Sequence, residues 1–185
     1  MNRFILNENP QMAAIEHCDK HVVKMILEEA QMLSTAHRIL DGEQEIGVSE
    51  AGRKVTRYRL NDDRDKIIYQ AAHVNHPCTI WSRQTSANYM WGFSLLNSLL
   101  KEYSFRYEKV HKTAELVAHL ANPPQNITHG SLTPFAVAMP DDCKLPDPVA
   151  SYRLYYKKYK SDFAVWTKRP APIWFIENHV VYSAK

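Results

Sequence analysis

The chain lacks the residues that would make several explanations easy. Its three cysteines, Cys18, Cys78 and Cys143, are odd in number and far apart. With no CxxC spacing, they suggest neither a disulfide framework nor a thiolate zinc knuckle. Glycine is scarce, at five residues. No apolar run approaches the ~18 residues that span a bilayer, so no membrane segment is expected. The opening MNRFILNENP has no basic stretch leading into an apolar one, and so does not read as a signal peptide. A reducing, cytoplasmic setting is the expectation. The net charge of +3 permits a polyanionic partner without demanding one.

What is present is an ordinary globular composition, 45% hydrophobic and 23% charged over 185 residues, which fits one domain spanning 1–185. The most unusual stretch is 17–36, HCDKHVVKMILEEAQMLSTA. At 100° per residue, His17, His21, Lys24, Glu28, Gln31 and Thr35 share one narrow sector. Met25 and Met32 border it on one side and Leu27 on the other, and Val22, Val23, Ile26, Ala30 and Leu33 lie opposite. A helix apolar around most of its circumference should be buried. Its polar seam must then be paired or used, because buried His, Lys and Glu are costly. The seam is the candidate site, and a hydrogen-bonded network that only fixes the fold is the competing reading.

The rest of the chain reads as mainly α. A helix from 12–16 is expected to run on through the seam to Asp41-Gly42, after an extended lead-in or short strand at 3–6. Residues 43–65 form an insertion in which Gly52, Arg53, Lys54, Arg57 and Arg59 suggest a basic hairpin or mobile loop. A short helix at 65–74 leads into Asn75-His76-Pro77-Cys78. Thr85 or Ser86 caps a long helix, 87–103, the expected core partner of the seam, and another helix covers 107–120. Six of the ten prolines fall in 122–148, an irregular segment apolar enough to pack along the body. Asp147-Pro148 starts a basic, aromatic C-terminal helix, 149–166, and 168–175 is extended.

Glu28 stands one helical turn from Lys24 and two from His21, a grouping suited to general acid/base work. A partly desolvated Lys24 is also a potential nucleophile. His17 and His21 have the i,i+4 spacing of a metal pair, but there is no HExxH and no third ligand, so neither metal nor other cofactor is expected. His76 lies ahead of Trp81 and Arg83, where it either faces a cleft or simply caps backbone groups. His111-Lys112-Thr113 and His129-Gly130-Ser131 fall in a helix and a proline-rich loop, unlike the strand-borne motifs of two-histidine phosphoesterases. From 144 to 169, seven basic residues meet two acidic ones, with tyrosines interleaved. Phosphate pairing with aromatic stacking is a way to grip nucleic acid, although the tyrosines would equally suit the core. Arg153, Tyr156, Lys157, Lys158, Lys168 and Arg169 are the candidate contacts there. Lys20, Arg57 and Arg83 join them from elsewhere, making DNA or a nucleotide the expected partner.

Asp19-Lys20-His21 followed by Glu28, then Asn75-His76-Pro77, Glu102-Tyr103-Ser104-Phe105-Arg106-Tyr107, and the end with Lys168-Arg169-Pro170 and Trp174 carry a resemblance. The chain resembles bacteriophage-type proteins distantly related to the pyrimidine-dimer DNA glycosylase (endonuclease V) family, which would place it in a host cytoplasm. The resemblance implies a compact, mostly helical enzyme cleaving an N-glycosidic bond, a modified or damaged pyrimidine being one candidate substrate. Glu28 would be the acid/base and His21 and His76 the neighbouring histidines. The family's nucleophile, the α-amine of an N-terminal threonine, has no counterpart at Asn2, so Lys24 or Lys20 is the substitute amine if an imine forms. Leu27 and Gln31 stand where the family has basic residues beside its glutamate. The alternatives are a non-catalytic nucleic-acid or nucleotide binder, and an enzyme acting on free nucleotides.

Overall fold

The computed structural model describes residues 1–177 and is mainly helical, with a single two-stranded antiparallel sheet among those residues. Helix α1 (Pro10–Glu16) starts where the Asn9 side chain accepts the Gln11 and Met12 N–H groups and Pro10 fills the first turn. The expected single helix through the seam is broken. His17 and Cys18 are extended, and α2 (Asp19–Asp41) begins afresh. Buried Arg106 makes the break by taking the carbonyls of Ile15 and His17 at 2.9 Å each, while the Asp19 N–H donates to Val165 O. These partners lie far along the chain, so an uninterrupted period could not reveal them.

Strands β1 (Glu43–Val48) and β2 (Lys54–Arg59) realise the hairpin, paired from Glu43 with Arg59 to Val48 with Lys54. The helix expected at 65–74 is only α3 (Arg64–Ile67), and the chain from Ile68 to α4 (Pro77–Ser82) is non-helical. Thr85 caps α5 as expected, accepting Asn88 N–H, and α5 (Ser86–Tyr107) runs one turn further than the sequence suggested. It ends at Glu108 in the left-handed region, φ 56°. That turn prevents the continuous helix expected at 107–120, leaving a 3₁₀ turn at Lys112–Leu116 and α6 (Val117–Leu120).

Asp147 caps α7 (Pro148–Lys160), which gives way to a 3₁₀ turn at Ser161–Phe163 before its expected end. The supposedly extended tail contains a short α8 (Ile173–Ile176). α2 packs most extensively on α5, with Val22, Met25, Ile26, Ala30 and Leu33 among the core residues beside Tyr89, Leu95, Leu96 and Leu99. Residues 3–6 are buried chain outside any strand. α2 is not covered all round: Lys20, Val23, Lys24 and Leu27 reach solvent, although Val23 was assigned to the inner face. No helix among the described residues is long and apolar enough to cross a membrane.

Candidate functional site

Glu28 is buried at the edge of this exposed strip, with its carboxylate turned toward the start of the chain. Its Oε2 accepts the Asn2 N–H at 2.7 Å, and its Oε1 lies 3.4 Å from Lys24 Nζ and 4.0 Å from the Met1 nitrogen. Asn2 is held by its own amide, which donates to Ala138 O at 2.7 Å and accepts the Tyr152 hydroxyl at 3.2 Å. The irregular proline-rich segment therefore positions the residue that meets Glu28. His76 feels the charges of this group. Its protonation is depressed by burial first, then by the positive charge at the Met1 nitrogen and by His73, with Glu28 opposing. His76 Nδ1 accepts the Cys78 N–H at 3.2 Å at the start of α4, which leaves the proton of the neutral ring on Nε2. His76 thus caps the start of α4 through its ring and feels the charge of the carboxylate.

His21 is not part of this group. It stands two turns from Glu28, roughly 10 Å along the helix axis, stacked on Phe4 with centroids 4.4 Å apart and bonded through Nδ1 to the Tyr156 hydroxyl. Burial, then His17, Lys160 and Lys24, lower its pKa to about 3, so the ring is neutral near pH 7. His17 is likewise buried and lowered to about 4, chiefly by desolvation. Its Nδ1 lies 2.5 Å from Ala13 O, and its Nε2 has no partner among the described residues. Phe4 and Tyr156 also lie against His17, and no cluster of metal-binding residues occurs among the described residues. The seam thus divides into an aromatic, neutral lower half and a charged upper half.

The proposed nucleic-acid contacts divide as well. Tyr156 is completely buried and offers no ring face to a base. Arg153 donates to Leu6 O and pairs with Glu16, Lys157 donates to Glu177 O, and Lys158 pairs with Asp142. Lys168 pairs with Glu108, and Arg169 forks onto Glu102 with two 2.9 Å bonds. Arg83 holds Val74 O at 2.9 Å, bracing the loop that carries His76. These side chains mainly tie segments together. Near the seam, Lys20 lies 4.9 Å from the Phe163 ring and Lys160 lies 4.8 Å from that of Tyr155.

The groups not singled out from the sequence are the backbone nitrogens of Met1 and Asn2, and Arg3. Arg3 forks onto Glu29, Nε to Oε1 at 2.8 Å, beneath Glu28. The only early signal for that pair was a carboxylate on the apolar side of α2. No family model matches the chain, and no curated protein or solved structure matches it either.

Proposed function

We propose that the chain is an enzyme acting on a nucleic-acid base or its N-glycosidic bond, with Glu28 as the acid/base. The observation that carries this reading is the convergence of Asn2 N–H, Lys24 Nζ and the Met1 nitrogen on one largely desolvated carboxylate. A carboxylate held this way suits accepting a proton from an attacking water or stabilising a developing sugar cation. His76 bears its proton on Nε2, the atom left to donate to a departing base. An amine beside a carboxylate also suits imine formation at C1′. The amine would attack, the base would leave with a proton, and Glu28 would relay protons during ring opening. Lys24 is the amine whose chemistry does not depend on where the chain starts. Lys20 and Lys160, each against an aromatic ring, supply cations near the strip.

The test is incubation with a panel of natural, modified and abasic DNAs, with mass spectrometry of released nucleobases and borohydride trapping of any imine. Glu28→Gln should abolish release while leaving the melting temperature nearly unchanged. Lys24→Ala should abolish the trapped adduct if Lys24 is the amine. A protein that only binds nucleic acid would turn nothing over and would keep its affinity in Glu28→Gln, which rejects the enzymatic reading.

A further inference from the structure

The hairpin β1–β2 presents an unusual surface. Its outer face carries Gln44, Ile46 and Val48 opposite Tyr58, Thr56 and Lys54. Ile46 is 75% and Val48 68% exposed, so no core backs this face. A two-stranded hairpin alone is marginal in water, yet both ends of this one are built to be rigid. At the tip, Ser49 N–H donates to Arg53 O and Gly52 N–H to Ser49 O, each at 2.8 Å, with Gly52 at φ 74°. At the base, fully buried Arg38 donates to Tyr58 O, Asp65 Oδ1, Ile68 O and Tyr69 O.

Charge indicates what covers this face. Near the base, Arg59 is neutralised by Glu45 at 2.6 Å and Asp65 at 3.3 Å. Toward the tip, Arg53 and Lys54 have only Glu50 nearby in sequence, while Arg57, on the other face, stands across the strands from Glu45; none of the three makes an ion pair among the described residues.

We propose that this hairpin is an arm that enters a groove of duplex nucleic acid. The proposal rests on the nucleic-acid reading of the Glu28 site and adds to it the form of the substrate and a place where it is held. A two-stranded ribbon fits a major groove about 12 Å wide. Six paired positions reach roughly 20 Å. The free cations would meet phosphates, while Ile46 and Val48 would lie against base edges such as thymine methyls. The arm leaves α2 at Gly42, fourteen residues from Glu28. That is about 21 Å of helix, well within one turn of duplex.

Fluorescence anisotropy of the full chain with a labelled duplex of roughly 30 bp, over a range of salt, tests the arm. Arg53→Ala/Lys54→Ala/Arg57→Ala should weaken binding by about tenfold or more and lower the salt slope by roughly 2–3. Its thermal unfolding should match that of the unmodified chain. Ile46→Ser/Val48→Ser should weaken binding with the salt slope unchanged. If both variants bind like the unmodified chain, the arm is overturned and the Glu28 reading stands. Base release from single strands without duplex binding also overturns the arm alone. An unmodified chain that neither binds duplex nor releases a base overturns both. A dimer in sedimentation that Ile46→Ser/Val48→Ser disperses would assign the face to a second copy and overturn the proposal.

Discussion

Glu28 and Glu29 are neighbours on one helix, yet they occupy opposite physical situations. Glu29 has no exposure and is gripped by Arg3, itself buried beneath Trp81 at 4.9 Å. Burial raises its carboxyl, and the Arg3 guanidinium at forked distance pulls it back. Gly92 makes room for the pair: a Cβ there would lie 2.7 Å from Arg3 Nη2. Glu28, one residue earlier, meets two nitrogens at looser distance, one of them on a lysine that is 63% exposed. The first carboxylate has every interaction committed to the fold. The second is 8% exposed, bonded only to the Asn2 N–H at short range and near two amines at longer range, so its interactions are less committed to the fold.

The largest expected effect comes from removing the buried charge. Glu29→Gln leaves Arg3 unpaired in the core and should cost about 3–5 kcal/mol, read from urea unfolding. Glu28→Gln should cost no more than about 1 kcal/mol in the same assay. Equal losses would erase the contrast.

The buried histidines sharpen it through pH. His17 and His37 are held at about 4 and His21 at about 3, against an ordinary 6.5. The folded state therefore binds fewer protons than the unfolded one in that interval. Stability should be complete above about pH 6.5 and fall by roughly a few kcal/mol as the pH drops toward 4. Urea midpoints that stay flat across this range would contradict the burial assigned to these rings. Gly92→Ala should lose about 1–3 kcal/mol by crowding the locked Arg3, and the base release proposed for Glu28 should survive it. The smallest effect belongs to Lys24→Ala, within about 0.5 kcal/mol, because exposed i,i+4 pairs are worth little. A larger loss would move Glu28 and Lys24 into the structural class with Glu29.

The elements legible in the sequence were those with local causes. Thr85 and Asp147 cap helices through N–H groups two or three residues away. The hairpin and the proline-rich segment were similarly plain, whereas the helical period gave only the polar seam, and the choice of Glu28 within it came from the resemblance. The misplaced features depend on distant partners. The Met1–Asn2 backbone meets Glu28 only through tertiary contact. The tyrosines of α7 could not be sorted by period alone, and Tyr152 and Tyr156 turned inward while Tyr159 stayed 45% exposed. The basic residues beside them found carboxylates and carbonyls from other segments, so a local excess of positive charge overstated the free charge.

The break between α1 and α2 has a consequence for the order of folding. Arg106 reaches Asp19 across 87 positions, and Thr167 reaches it across 148. Closing loops of that length carries an entropy cost that must be met before any of these bonds can form. The uninterrupted helical period of 12–41 favours a single rod early on, and it is bent by docking of Arg106 on α5 and of a C-terminal strap, the segment carrying Val165 and Thr167. Substitutions that weaken the strap, such as Thr167→Ala, should therefore speed unfolding and leave refolding nearly untouched. The break between α1 and α2 would be the last piece of the architecture to arrive and the first to be lost.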